Sequence, residues 1–141
     1  MAAKAAKKAI ENAGIEKEEI DMIILATITP DFFMPSTANL VQAELGLDDI
    51  PSFDITAGCT GFVYGLQVAD QFIKSKQSKT ILLIGVEILS KVTDWSDRNT
   101  CVLFGDGAGA VILKSSSQEG IICTYTGSQG DLKGLITLPA V

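Results

Sequence analysis

One segment in the middle of the chain sets the architecture: Phe53-Asp-Ile-Thr-Ala-Gly-Cys-Thr-Gly-Phe-Val-Tyr-Gly-Leu66. It predicts a short strand, a tight turn and then an apolar helix, with Cys59 on the turn. Unpaired N–H groups and the positive end of the helix dipole lie there, and both favour the nucleophilic thiolate. Gly58 and Gly61 leave room for a sharp turn and a closely approaching substrate. Cys59 is therefore a candidate nucleophile, although most free cysteines are small buried hydrophobes and that alternative stays open.

The flanking segments predict strands that alternate with helices. Helices are expected over 2–13, ending at Gly14, over 37–45, capped by Ser36 or Thr37, and over 60–75. Buried strands are expected over 20–27 and 79–87, and a short strand over 51–56. This alternation predicts an α/β fold with a mixed, mostly parallel sheet and helices on both faces. Residues 90–104 predict loop and short helix. Two further strands, over 108–114 and 120–128, are expected to close the sheet as a hairpin.

Composition and charge exclude several classes of partner and catalytic site. The chain has 141 residues, 47% of them hydrophobic, with no repeat or linker, so one domain over 1–141 is expected. A net charge of −6 argues against a nucleic-acid partner. The chain has no histidine, which excludes a Ser-His-Asp triad, a Cys-His pair or a histidine-ligated metal site within it, and no metal site is predicted.

The cysteines and the apolar runs indicate the compartment. Three cysteines, Cys59, Cys101 and Cys123, do not form a disulfide framework, and free thiols suit a reducing cytosol. Cys101 and Cys123 lie in apolar sequence and are expected in or near the core. There is no secretory signal, and no apolar run approaches the roughly 20 residues that span a bilayer. A cytoplasmic protein without membrane contact is predicted.

A second motif, Phe104-Gly-Asp-Gly-Ala-Gly-Ala-Val-Ile112, invites a nucleotide-binding interpretation. Its spacing is G-x-G-x-G rather than G-x-G-x-x-G, and a β-branched strand follows instead of a helix that could hold phosphate. The nucleotide interpretation is rejected. The small residues are expected to let backbones pass closely beside the active site.

Together these two motifs resemble those of the β-ketoacyl-acyl-carrier-protein synthase III family in the thiolase superfamily. Asp94–Thr100 resembles the segment between them, and Ala26–Ser36 resembles the loop after the family's second strand. The resemblance runs in order over essentially the whole chain. It implies a thiolase-like layered fold, of which the chain matches part of the first of two similar halves.

The resemblance also implies an acyltransferase that initiates fatty-acid biosynthesis. Its cysteine, Cys59 here, takes an acyl group from acyl-CoA as a thioester, and malonyl-acyl-carrier protein then loses CO₂ and condenses with it. Arg98 matches a CoA-contacting arginine, Phe104 an aromatic of the active-site wall, and Met34 a residue that crosses a homodimer interface to line the partner's acyl pocket. Acyl-CoA is a substrate, so no cofactor is implied. From the residues alone, Phe104 and Met34 fit ordinary core packing and Arg98 a solvated loop charge.

The chain departs from the family pattern in its length, since the family's chains are more than twice as long. It is expected to lack the family's opening strand, placed at the centre of the sheet, and the second half, where the family keeps a histidine and an asparagine. The start inside a helix also suggests a fragment, so condensation by this chain alone is not expected. Two alternatives stay open: another thiolase-superfamily condensing enzyme, and a non-catalytic remnant or split subunit that pairs with a complementary chain.

Overall fold

The computed structural model describes residues 1–118, 120–131, 133–134 and 136–139. Helices and strands alternate along the chain as α1 (Ala2–Ala13), β1 (Met22–Ala26), α2 (Thr37–Leu45), β2 (Ser52–Ile55), α3 (Gly61–Lys74), β3 (Thr80–Ile88) and β4 (Asp106–Lys114), with short 3₁₀ turns at Lys17–Glu19, Gly58–Thr60 and Leu89–Lys91. The predicted helices and the first three strands are confirmed to within a few residues.

The strands form one mixed sheet in the order β2-β1-β3-β4. Strand β1 pairs in parallel with both β2 and β3, whereas β4 runs antiparallel to β3. All five residues of β1 are buried because helices cover both of its faces. The expected mixed, mostly parallel sheet is confirmed.

Alternate residues of β1 point into two separate cores, as the two-residue period of a strand requires. Ile23 and Leu25 pack with buried residues of α1 and α2, while Met22 and Ile24 pack with α3. The sheet therefore has helices on both faces, as predicted.

The helix ends follow the local sequence signals. Helix α1 has Met1 at its N-cap without a side-chain cap, and it ends at Gly14 in the left-handed conformation. Helix α2 begins after Ser36, whose hydroxyl accepts a hydrogen bond from the Asn39 N–H, and it ends at left-handed Gly46.

The predicted closing hairpin is wrong. The described residues 120–131 contain no strand, and β4 pairs with β3 over nine residues instead of with a following strand. A strand needs a partner for its N–H and C=O groups, and apolar alternation alone does not supply one. Residues beyond β4 instead reach α3, where the Thr126 hydroxyl donates to Gln67 Oε1 at 2.7 Å.

The described strands leave no gap at the centre of the sheet, where a missing strand was expected. Met22 to Ala26 of β1 pair residue by residue with Ile81 to Gly85 of β3. The placement of a missing strand at the centre was therefore wrong, because β1 and β3 already occupy it. In the described part of the chain, the open edges are those of β2 and β4.

Candidate functional site

The four candidate residues all lie on connections at the same edge of the sheet. The parallel strands β1, β2 and β3 end there, and β4 begins there because its Asp106 pairs with Ile88 at the end of β3. Met34 follows β1, Cys59 follows β2, and Arg98 and Phe104 lie between β3 and β4. In open α/β sheets, binding sites form at this carboxyl edge.

Cys59 lies on the 3₁₀ turn Gly58–Thr60, immediately before α3. Gly58 has φ +53°, a conformation that L side chains rarely adopt, so glycine is required there. The Thr60 hydroxyl closes the turn by donating to the Ala57 carbonyl at 3.0 Å. Cys59 itself is exposed, which excludes the alternative of a buried core cysteine.

The turn is held against the sheet by close approach of α3. A Cβ at Gly65 would lie 2.5 Å from Leu83 Cδ1, and a Cβ at Gly61 would lie 3.2 Å from the Ala26 Cβ. Gly61 therefore serves helix–strand contact, and the expectation that it makes room for substrate is corrected. A third glycine, Gly85, leaves the space that the Phe62 ring fills.

Two carboxylates that organise this edge were not predicted from the sequence. Glu87, near the end of β3, accepts hydrogen bonds from the Ile28 N–H at 2.8 Å and the Thr29 hydroxyl at 2.6 Å. Asp54 of β2 accepts from the N–H groups of Thr37 and Ala38, both at 2.7 Å, at the start of α2. In the sequence each appears as a charge inside a strand. The residues that donate hydrogen bonds to it lie far away in sequence, so the pattern does not identify them.

Met34 and Phe104 do not pack in a core of this chain. Met34 is 87% exposed and Phe104 is 51% exposed. Ordinary core packing, the alternative for both, is therefore not what the structure has. Arg98 is exposed, and within the described residues its side chain forms no hydrogen bond or ion pair, so it lies as a solvated loop charge.

The segment that carries Arg98 is shaped by short-range hydrogen bonds to aspartates. The Ser96 hydroxyl and N–H lower the pKa of Asp94, and the Thr100 hydroxyl and the Asn99 N–H lower that of Asp97. At the base of the segment, the Ser90 N–H and hydroxyl donate to Asp106 at 2.8 and 2.7 Å and lower its pKa, with a further contribution from Lys91. Asp106 thus joins the start of β4 to the end of β3.

Two further expectations, for Cys123 and for the glycines of the second motif, differ from the structure. Cys123 is exposed and Cys101 is half-buried, so the core placement is wrong for Cys123. Apolar neighbours in sequence do not bury a residue whose segment leaves the sheet. A Cβ at Gly105, Gly107 or Gly109 would meet nothing within 4 Å, so within this chain these glycines face open space and not a closely passing backbone.

Neither a metal-binding cluster nor a membrane-spanning helix is found in the described part of the chain. Across those residues, no group of three or more acidic or cysteine side chains is placed to hold a metal ion. None of the helices described there is both long and apolar enough to cross a bilayer.

Comparison with known proteins adds independent findings. Residues 53–130 match the family model of 3-oxoacyl-[acyl-carrier-protein] synthase III. The chain is 56% identical over 138 residues to a β-ketoacyl-[acyl-carrier-protein] synthase III of Coxiella burnetii, an alignment that covers 97% of this chain and 43% of that protein. The chain thus spans less than half the length of this relative.

Solved structures are similar in fold as well as in sequence. The crystal structure of 3-oxoacyl-[acyl-carrier-protein] synthase III from Aquifex aeolicus aligns with a TM-score of 0.82 and 55% identity, over 84% of this chain and 38% of that one. The priming β-ketosynthase of the R1128 polyketide pathway also reaches 0.82, but at 35% identity over 85% of this chain and 36% of that one. The chain has a thiolase-like fold and belongs to the 3-oxoacyl-[acyl-carrier-protein] synthase III family, of whose members it covers a part.

Proposed function

We propose that this chain supplies the nucleophilic half of an enzyme that condenses an acyl-CoA with malonyl-acyl-carrier protein. One observation carries the proposal: Cys59 is exposed on a turn that the sheet and α3 hold at the carboxyl edge. A nucleophile fixed on a rigid scaffold and open to a thioester substrate is what acyl transfer needs. Acyl-CoA acts as a substrate, and no resident cofactor takes part.

The first step is transfer of the acyl group to Cys59. The thiolate Sγ attacks the thioester carbonyl of acyl-CoA, the carbon–sulfur bond to CoA breaks, and CoA leaves as its thiolate. The Cys59 backbone N–H donates one hydrogen bond to the oxyanion that forms. Exposed Arg98 pairs with a phosphate of CoA or stacks on its adenine.

The second step forms the carbon–carbon bond. The malonyl carboxyl group leaves as CO₂, the resulting carbanion attacks the acyl carbon, and the bond to Sγ breaks to return the thiolate. Carbanion formation needs hydrogen-bond donors at the malonyl thioester oxygen. This chain has no histidine to give, so we assign those donors to a complementary half and expect no condensation without it.

Membership of the family and the exposure of the edge support the remaining roles. Phe104 shapes the active-site wall, and Met34 crosses a homodimer interface into the partner's acyl pocket, where a flexible thioether accommodates varied short chains. The substrates are acyl-CoA and malonyl-acyl-carrier protein. Three free thiols support a reducing cytoplasm as the place of action, with residues 1–141 as one partial thiolase-like half.

A second candidate, pairing with a complementary chain without catalysis, is favoured by one observation. The carboxyl edge exposes large apolar side chains that a monomer rarely leaves in contact with water: Phe32, Phe33, Met34, Trp95, Val102, Leu103 and Phe104. A covering partner would bury them. The identity of 55% to the Aquifex aeolicus synthase III, against 35% to the polyketide ketosynthase, supports a synthase III over another condensing enzyme.

Complementation separates these candidates. The purified chain is incubated with acetyl-CoA and malonyl-acyl-carrier protein, alone and after mixing with the second half of the Coxiella burnetii relative. We expect β-ketoacyl product only from the mixture, and none when Cys59→Ala replaces the native chain. Product from the chain alone contradicts the assignment of the donors to a second half. Stable pairing without product, despite a second half that is active with its own first half, favours the non-catalytic candidate.

A further inference from the structure

The connection between β1 and α2 is anchored at both ends by carboxylates from other strands. We call residues 27–36 the Met34 loop. At its start, Glu87 Oε1 accepts from the Ile28 N–H at 2.8 Å, and Glu87 Oε2 accepts from the Thr29 hydroxyl at 2.6 Å. The Thr29 oxygen in turn accepts from the Ile88 N–H at 2.8 Å, so the loop start and the end of β3 are joined in both directions.

The far end of the loop is held by Asp54. Its two carboxylate oxygens accept from the Thr37 and Ala38 N–H groups, which fixes where the loop becomes α2. The nucleophile turn joins the same arrangement, because the Thr56 hydroxyl donates to the Thr27 carbonyl at 3.1 Å. Glu87 and Asp54 thereby fix the loop relative to β3, β2 and the turn that carries Cys59.

The middle of the loop lacks comparable support. Phe32, Phe33 and Met34 are exposed, and the link from Asp31 to Lys91, at 3.1 Å, is a solvent-exposed ion pair of the kind that contributes little. The position of Met34 is consequently set by how firmly the two ends are held. Charge-assisted hydrogen bonds to a part-buried carboxylate are the stronger kind.

A partly buried charge at position 87 is destabilising unless hydrogen-bond donors, here those of the loop, stabilise it. The rest of β3 from Ile81 to Val86 is apolar or glycine, and a charge taken out of water needs hydrogen-bond partners. Among the described residues, its side chain accepts hydrogen bonds only from residues 27–29, the third of them from the Thr27 hydroxyl at 3.4 Å. Its role is therefore local to the start of the Met34 loop.

We propose that Glu87 is a positioning residue that fixes the Met34 loop, and with it the side chain that enters the acyl pocket. The placement of Met34 in that pocket rests on the proposed function. The anchoring of the loop by Glu87 does not, so the two can fail separately.

The test uses the full 141-residue chain with Glu87→Gln and Glu87→Ala. Asp21 gives a matched control, because its carboxylate accepts from the Lys79 N–H at 2.6 Å and the Thr80 N–H at 3.3 Å, at the opposite end of the same two strands. Asp21→Asn and Asp21→Ala therefore remove a similar carboxylate without touching the loop. Amide hydrogen exchange is followed residue by residue, together with methyl relaxation of ¹³C-labelled methionine.

In Glu87→Ala we expect the Ile28 amide to exchange about tenfold faster or more, since it loses its acceptor. The Thr29 amide should also exchange faster, because it donates to the Thr27 hydroxyl, which loses its own contact with Glu87. The Met34 methyl should become more mobile, while Met22, buried in β1, serves as an unchanged internal reference. Glu87→Gln keeps one acceptor for the Ile28 N–H, so it should preserve much of the protection. The Asp21 variants should affect residues 79–80 and leave the loop unchanged.

Three results overturn the proposal. Unchanged exchange at Ile28 and Thr29 in Glu87→Ala means that the carboxylate does not hold the loop. An equal loss of protection in Asp21→Ala, or across the interior of β1, means that Glu87 supports only global stability. A Met34 methyl that behaves alike in every variant means that the anchor does not position this side chain. None of these measurements requires acyl transfer, so failure of Cys59 to accept an acyl group overturns only the proposed function.

Discussion

Gly65 sets how closely α3 approaches the sheet beneath the nucleophile turn. Gly65→Ala places a methyl group where the fully buried Leu83 already lies. Alanine improves helix propensity by about 1 kcal/mol, but overpacking a core costs about 1–3 kcal/mol. We expect a net loss of up to about 2 kcal/mol in the free energy of unfolding, measured by denaturant titration.

A double-mutant cycle identifies the cause of that loss. Leu83→Val removes the Cδ1 atom against which the new methyl collides, so Gly65→Ala should cost less in the Leu83→Val background than in the native one. Equal costs in both backgrounds would show that contact with Leu83 does not determine the approach of α3.

Asp54, a residue of β2, caps the N-terminus of helix α2. Thr37 and Ala38 are buried, and Asp54→Ala leaves both of their N–H groups without the carboxylate. At about 1–3 kcal/mol for each of the two unsatisfied groups, the free energy of unfolding should fall by roughly 2–6 kcal/mol. Ser36→Ala, which removes only the ordinary cap, should cost about 1 kcal/mol. A smaller loss for Asp54→Ala than for Ser36→Ala would refute the cross-strand cap.

Asp106 makes the junction of β3 and β4 sensitive to pH. Hydrogen bonds from the Ser90 N–H and hydroxyl, with the charge of Lys91 nearby, hold its pKa below the ordinary value. Because the folded pKa is depressed, the stabilisation is present above the unfolded pKa and is lost as the pH falls through the folded one.

The native chain should therefore be more stable than Asp106→Asn at neutral pH, and the difference should vanish in acid. Thermal unfolding of both chains across the acid range measures it. Exposed Asp48 has no hydrogen bond or ion pair among the described residues, so Asp48→Asn controls for the loss of one charge. A difference that grows as the pH falls would contradict the assignment.

Local sequence patterns predicted the helices and strands better than they predicted which strands pair. Gly14, Gly46 and Ser36 mark helix ends because caps depend on neighbouring residues, and the apolar run before Thr27 predicted a buried strand. The hairpin over 120–128 failed because strand pairing depends on a distant edge, which alternation does not encode.

The candidate site was predictable to the same extent. The turn around Cys59 has a local signature in its glycines, so its place before a helix could be predicted. The contacts of Glu87 and Asp54 join residues 59 and 17 positions apart, and no spacing rule marks such pairs. The exposure of Met34 and Phe104 likewise depends on what covers the carboxyl edge, which lies beyond any single segment.

At the scale of the whole molecule, the chain presents a formed carboxyl edge that carries Cys59 and an uncovered apolar surface around it. Cys59 lies on a turn held by the sheet and α3, whereas Trp95 and Val102 are 65% and 76% exposed. The relatives are more than twice as long as the aligned region. We therefore expect the first half-reaction to need only this chain and the second to need a covering partner.

Acylation of Cys59 by acetyl-CoA measures directly whether this turn carries a working nucleophile. The chain is incubated with acetyl-CoA, and intact mass followed by peptide mapping locates any adduct, with Cys59→Ala, Cys101→Ser and Cys123→Ser run in parallel. We expect one acetyl group on Cys59, released by hydroxylamine as a thioester should be, absent from Cys59→Ala and retained in the other two variants. An unmodified Cys59, or an adduct on Cys101 or Cys123 instead, would contradict it.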